Sequence, residues 1–472
     1  MIDNALAITV TVLTLGVFLW IGYRARTATG DLDDYVAARG TQRTSGLGLS
    51  FFASGMGAWI LFAPPEVGAG VGLIAVCGYA LGAAAPIATF GFLGRTLRRK
   101  VPSGHSLTEF IRLRFGRAFH SYVVVISILY MLVFVTAELT AIGGVTGILS
   151  GMDPRLMIVA VATVTVAYTA YGGLRASIRT DRWQGWLILA LLAVATVAIA
   201  GGVDRAAFTP GAFAIDRVGL EVALTLVIAV TAANIFHQGY WQRVWAARDD
   251  TTLTRGALLG AGATIPVILL LGILGMLAAG SVADLGSPPI PFFALVADLG
   301  RWVSMVILIA GISLVASSVD TLENALTSLV VAERPRLSFA GARVVTIVLM
   351  LPATVIALQG HSVLRLFLIA DLLCAATVIP ALLSLWERAS ARAVTGGALA
   401  GLIGAVAPGW ITEGSLREGV RLATFPETIP TLPPFLWALL ASLAVAVIGS
   451  LMAKERTDMS DIEARVPALA KG

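Results

Sequence analysis

One apolar stretch, Trp302–Val331, carries Ser313, Ser317, Ser318, Asp320, Thr321, Asn324 and Ser328 among its polar side chains. Spacings of three and four place Ser313, Ser317, Asp320 or Thr321, Asn324 and Ser328 on one face of a helix. Hydroxyl and carbonyl oxygens are hard ligands that suit a hard cation, so the stripe reads as an ion site. Hydrogen bonding between helices is the other use membranes make of such residues. A second set, Thr231, Asn234, His237 and Gln238, recurs at helical spacing in Val222–Tyr240. It offers donors and acceptors to a polar solute, and His237 is equally a packed histidine or a proton carrier. Three carboxyls complete the inventory. Glu138 (in TAELTAIGG) and Asp371 (in LIADLLCAA) lie deep in apolar segments and are candidates to hold a cation, bind a proton or pair with an arginine. Glu66 follows Pro64-Pro65 and is expected to be solvated at an outer vestibule. An ionised group at the bilayer centre costs at least about 2.5–3.5 kcal/mol, so those that persist face the bundle interior.

These side chains need elements to hold them, and the composition says which kind. The 472 residues are 57% hydrophobic and 13% charged, against about 25% charged in soluble domains. This is an all-α polytopic membrane protein. At about 20 apolar residues per crossing it holds about 13 spans: Ala5–Tyr23, Leu47–Gly70, Gly72–Gly94, Ser121–Leu149, Leu156–Ala170, Gly185–Gly201, Val222–Tyr240, Ala257–Ala279, Trp302–Val331, Val344–Leu358, Leu366–Leu385, Ala393–Pro408 and Phe435–Met452. Of the 33 Lys and Arg, 26 then fall on one side of the membrane. The excess marks the cytoplasm, which puts the N-terminus outside and the C-terminus inside. The cluster Arg95, Arg98, Arg99, Lys100, Arg112, Arg114 and Arg117 flanks a span and reads as a cytoplasmic anchor, not a nucleic-acid surface. No basic n-region precedes the first apolar run, so that span is expected to stay in the protein. Cys77 and Cys374 form neither a zinc spacing nor a disulfide framework.

The stretch Leu47–Gly72 is apolar enough to cross but is punctuated by Gly55, Gly57 and Pro64-Pro65. Carbonyls and amides freed there must face protein or a water-filled cavity. Interrupted spans of this kind point to a solute site in secondary transporters. A broken span opens one group of five and the polar-interrupted seventh opens the next, an inverted 5+5 arrangement. The expected units are 1–46 (first span and loop), 47–201 and 202–388 (two core repeats), 389–452 (two further spans) and a tail, 453–472. The segments Val203–Glu221 and Ala407–Pro434 read as outer loops, and Ser281–Arg301 as a loop with a short helix. No HExxH, P-loop or nucleophile elbow is present, so an enzyme is not expected.

Several motifs together give the chain a family resemblance. Asp33-Asp34-Tyr35 with AARG, Ala53-Ser54-Gly55-Met56-Gly57-Ala58-Trp59, Gly172-Gly173-Leu174-Arg175 with Thr180-Asp181 and Gln184, Gln242-Arg243 with Ala246-Ala247, and Val315-Ala316-Ser317-Ser318-Val319-Asp320 stand in order from about Tyr23 to Met452. The chain thereby resembles the sodium/solute symporter family of proline, sugar, choline and urea carriers. The resemblance implies the leucine-transporter fold, which is a worked example of the inverted-repeat principle. It also implies a sodium ion between the second and ninth spans, held by the carbonyls of Ala53, Met56 and Leu314 and the hydroxyls of Ser317 and Ser318. Asp181 would assist ion release from the cytoplasmic side, with a loop salt bridge to Arg179 or Arg182 as the plainer role. The chain departs from the proline branch at Gly55, an aspartate there, and from the sugar branch at His237, an asparagine there. His237–Arg243 looks closer to the urea and choline branches. The expectation is a cytoplasmic-membrane symporter that imports a small polar organic solute with sodium, contacting it through Trp59, Thr231, Asn234, His237 and Gln238. No obligatory protein partner and no nucleic acid are expected. A proton-coupled carrier using Glu138, Asp371 or His237, and a symporter-like receptor, are the alternatives.

Overall fold

Lipid offers no partner to a backbone amide, so a chain this apolar must satisfy its backbone within helices. A computed structural model describes residues 2–24, 32–202, 208–286, 289–297, 299–334, 336–426, 431–453, 456–459 and 462. They are helical nearly throughout. The first membrane helix, α1 (Asn4–Arg24), and the short α2 (Leu32–Ala37) precede a broken span. This span consists of α3 (Thr44–Gly55), a 3-10 turn (Ala58–Leu61) and α4 (Ala63–Gly70), and its two limbs are bent by 61°. Then come α5 (Leu73–Lys100), α6 (Leu107–Phe115), α7 (Arg117–Leu149) and α8 (Pro154–Gly202).

The 49 residues of α8 would span roughly 70 Å as one rod, twice the roughly 30 Å of a bilayer core. They are two crossings. The division is at Gly173, with φ 60° and ψ −155°, a conformation that favours glycine. A Cβ there would also run into the Tyr35 ring of α2. The structure corrects the sequence reading here: residues 174–184, expected as a loop, form the start of the second limb.

The chain continues through α9 (Arg217–Ile235), α10 (Gln238–Ala246), α11 (Asp250–Ser281), the short α12 (Pro291–Val296) and α13 (Arg301–Glu333). Helix α9 is started by Asp216, which accepts the Gly219 amide at 2.7 Å, and it stops at Phe236-His237, where His237 is extended (φ −75°, ψ 96°). The seventh span is therefore a second broken helix, five spans after the first. The remaining elements are α14 (Phe339–Ala357), α15 (Val363–Leu382), α16 (Ala391–Glu413), α17 (Leu416–Leu422) and α18 (Leu432–Ala453). The reading of Ala407–Pro434 as all loop is corrected, since α16 runs on to Glu413 and α17 follows.

Among the described residues, eleven single helices are long and apolar enough to cross the bilayer, and the α3–α4 pair makes twelve. Counting both limbs of α8 gives thirteen crossings. Burial separates the centre from the rim. In α13, 72% of the apolar window is buried, against 28% in α14 and in α18. The polar stripe thus sits on the most enclosed helix. Helix α13 packs on α7 and α8, and α11 packs on α3, α4 and α5.

Candidate functional site: a broken-helix cavity above a buried charge network

The break in the first interrupted span positions the site. At Met56 (φ −97°, ψ 90°) and Gly57 (φ −94°, ψ −177°) the chain leaves the helical path. Glu138 of α7 reaches in and accepts the Ala58 amide at 2.7 Å. A Cβ on Gly57 would collide with that carboxyl, so glycine here makes room for the acid. Glu138 is fully buried and forms no ion pair with an arginine among the described residues. Of its three sequence-level roles, the arginine pairing is set aside. Gly55 also has a neighbour: a side chain there would strike the Tyr240 hydroxyl, which explains why the aspartate of the proline branch has no space in this chain.

Around the break lies a narrow cavity of about 30 Å³. A water needs roughly 10–15 Å³ on this scale, so the site has room for about two. Its walls are aromatic: Trp59 from the break, Tyr79 of α5, Tyr130 and Phe134 of α7, Tyr240 of α10 and Phe367 of α15. Trp59 stacks on Tyr79 at 5.6 Å between ring centres, and the edges of Phe134 and Phe367 meet at 4.9 Å. Asn234 and Asp371 supply polar atoms to the lining. Of the five expected solute contacts, Trp59 and Asn234 line this cavity. Thr231 lies off it, 3.4 Å from the Gly82 carbonyl. His237 stacks behind Tyr240 at 4.5 Å, with neither ring nitrogen hydrogen bonded. Gln238 donates to the His105 carbonyl at 2.6 Å and ties α10 to the loop after α5.

Below the cavity, toward the arginine-rich end of the bundle, is a buried network. Asp181 and Arg243 are both fully buried and pair at 2.7 Å. Asp181 also accepts Ser50 at 2.6 Å and Ser317 at 2.8 Å. Arg243 donates to Ser50 (2.8 Å), the Gly239 carbonyl (2.7 Å) and Thr321 (3.0 Å). One arginine thereby locks α3, α8, α10 and α13 together. This corrects the loop reading of Asp181: its partner is Arg243, not Arg179 or Arg182, because the second limb of α8 turns it into the bundle. Asp320 accepts Ser177 (2.6 Å), Tyr168 (2.7 Å) and Thr180 (3.1 Å), and Glu323 accepts Thr165 at 2.9 Å. Ala53, Leu314, Ser317 and Ser318 are fully buried and Met56 nearly so. The Ser318 hydroxyl has no hydrogen-bond partner. Among the described residues no three His, Cys, Asp or Glu side chains gather as a metal centre.

A surface clamp closes the arginine-rich end. Asp33 of α2 accepts Arg39 at 2.8 Å and His105 Nε2 at 2.7 Å, and Arg39 donates to the carbonyls of Pro102 and Ser103. Burial opposes ionisation of Asp33, but the bonds from His105 and Arg39 outweigh it and hold its pKa at about 2. Burial likewise opposes the charge on His105, and the Asp33 and Glu109 carboxylates outweigh it and raise its pKa above 6.5. The Asp33 contribution is in place above about pH 4 and lost toward pH 2, whereas the His105 contribution is in place below pH 6.5 and lost as pH climbs through its raised pKa. Protection of the amides of residues 101–106, taken as exchange relative to the intrinsic rate at each pH, is therefore expected to fall on the alkaline side of neutrality, and His105→Asn to remove that pH dependence. Protection that does not change with pH in the parent protein would contradict it.

Two broken helices five spans apart, each lending residues to one cavity, are the arrangement of a secondary transporter. The solved structures agree on the fold. A Na+-coupled sialic acid symporter, captured substrate-bound and outward-open, aligns over 96% of this chain and 98% of its own, at TM-score 0.76 and 15% identity. A nucleobase–cation symport family transporter in a closed conformation aligns over 93% and 99%, at TM-score 0.60 and 14% identity. No family model matches the chain. Curated relatives do. A spermidine transporter of Candida albicans is 31% identical over 404 residues, 82% of this chain and 77% of that protein. A urea–proton symporter of rice (Oryza sativa) is 25% identical over 443 residues, 80% of this chain and 61% of that protein. A high-affinity proline transporter of Bacillus subtilis is 30% identical over 183 residues, 37% of this chain and 38% of that protein. The chain belongs to the sodium/solute symporter family. It is a multi-pass solute transporter with the leucine-transporter fold, not an enzyme.

Proposed function

We propose that this transporter imports a small polar organic solute across the cytoplasmic membrane in symport with sodium, its N-terminus outside. The carrying observation is the Ser318 hydroxyl, buried and unpartnered, on the helix that packs against the break. A buried hydroxyl without a partner is costly, and an ion ligated there would meet that cost. The ligands are the carbonyls of Ala53, Met56 and Leu314 with the hydroxyls of Ser317 and Ser318. Non-helical geometry at Met56 frees its carbonyl from the ladder, as such a site needs. Ser317 donates its hydroxyl proton to Asp181 at 2.8 Å, which orients the hydroxyl and leaves its oxygen lone pairs free to ligate an ion. In this reading the Asp181–Arg243 pair draws Ser317 away as sodium leaves inward. The solute sits in the aromatic cavity, adjoining the ion through the same broken helix.

A second reading is proton coupling. It is favoured by three buried carboxyls, Asp181, Asp320 and Glu323, in a layer holding one arginine, and by the rice relative, named as a proton symporter. The two are separated by ligand-induced thermal stabilisation of the purified protein, with amino acids, urea, amines, sugars and carboxylates each screened in sodium and in potassium. Binding to the native state raises its apparent stability. Sodium coupling predicts a shift that requires both sodium and one solute; a solute shift of equal size in potassium would favour the proton reading.

A further inference from the structure

The carboxyl of Asp371 is 5% exposed and lines the cavity. Among the described residues it has no hydrogen bond and no ion pair, in contrast to Asp181, Asp320 and Glu138. It lies on α15, which the sodium reading does not use. An acid in this position faces only what enters the cavity. The wall around it carries no lysine or arginine and holds six aromatic rings. Aromatic ring faces attract cations, and rings around a quaternary or primary ammonium are the recurring form of that recognition.

We infer that Asp371 is the anchor for a positively charged nitrogen, and that the transported solute is an organic cation: an amine or quaternary ammonium whose head group packs among Trp59, Tyr79, Tyr130, Tyr240 and Phe367. This rests on the proposed use of the cavity as the solute site. A neutral solute would leave the carboxylate unpaired among aromatic side chains, and an anion would meet the acid with repulsion. The cavity, about 30 Å³ as it stands, has room for about two waters on this scale, enough for a primary ammonium; a quaternary head group requires it to widen, and a longer polyamine would enter end-on with Asn234 as the second polar contact. Asp371 would thus set specificity by charge, and Trp59 and Phe367, whose rings meet at 6.0 Å, would set it by shape.

The test uses matched probes on the purified full chain in sodium: choline against its neutral isostere 3,3-dimethyl-1-butanol, and putrescine and spermidine against urea. Binding is read by thermal stabilisation and by calorimetry, in the parent, Asp371→Asn and Asp371→Glu. The expected result is binding of at least one cation, at least tenfold weaker binding of its neutral partner, loss of tenfold or more in Asp371→Asn, and retention in Asp371→Glu. Monodisperse elution of both variants shows that they fold. Neutral probes binding as tightly as cations, unchanged cation binding in Asp371→Asn, or no cation binding at all would each overturn the inference. Repeating the cation titration in potassium separates the two ideas. Cation binding that needs Asp371 but ignores sodium keeps this inference and removes the sodium reading.

Discussion

Replacing Arg243 by methionine is expected to destabilise the protein by about 3–5 kcal/mol, the usual cost of leaving one member of a buried ion pair uncompensated. Both partners are fully enclosed, so water cannot take the place of the lost guanidinium. Three further hydrogen bonds are lost with it, to Ser50, the Gly239 carbonyl and Thr321. The double variant Arg243→Met, Asp181→Asn should recover much of the loss, since swapping a whole buried pair for uncharged groups is often close to neutral. Equilibrium unfolding in detergent of the two singles and the double gives the coupling energy directly. If the double were no more stable than the Arg243 single, the pair would not be the lock that holds α3, α8, α10 and α13 together.

Ser318→Ala has the opposite profile. The Ser318 hydroxyl is buried without a partner, so its removal should leave stability in potassium unchanged or slightly higher. Ser317→Ala gives up a hydrogen bond to a carboxylate, worth about 1.5–3 kcal/mol. Sodium-stimulated uptake should nevertheless fall at least tenfold in Ser318→Ala and disappear in the double serine variant. Loss of sodium response without loss of stability is the signature of a ligand, which a purely structural serine would not show.

Much of the fold was legible because bilayer chemistry leaves few choices. Apolar runs of about 20 residues had to be spans, and Gly55, Gly57 and Pro64-Pro65 had to break one of them. The break at His237 is written more faintly, with no proline, and reads in the sequence only as a run of polar residues. The stretch after Gly173 misled for a physical reason. Arg175, Arg179, Asp181 and Arg182 look like a solvated loop, yet helical spacing turns Asp181 inward while Arg175 and Arg179 stay at the surface. That Asp181 meets Arg243 is a matter of tertiary packing, 62 residues apart along the chain. The candidate site was legible in part. Asp371 and Glu138 stood out by the cost of burying them, but the aromatic wall did not. Tyr79, Tyr130, Phe134 and Phe367 sit in apolar helices, where nothing local separates a cavity-facing ring from a lipid-facing one. Trp59 and Asn234 reach the cavity because each sits at or beside a helix break.

The most direct test of sodium symport is solute uptake into proteoliposomes in which only the gradient is changed. Moving one charge inward down the membrane potential releases about 2.3 kcal/mol per 100 mV, equivalent to a concentration ratio of about fiftyfold. The predicted result is accumulation above equilibrium when sodium is high outside, none when potassium replaces it, and no response in Ser317→Ala, Ser318→Ala vesicles. Accumulation driven by a proton gradient in the absence of sodium, and undiminished in the double serine variant, would contradict it.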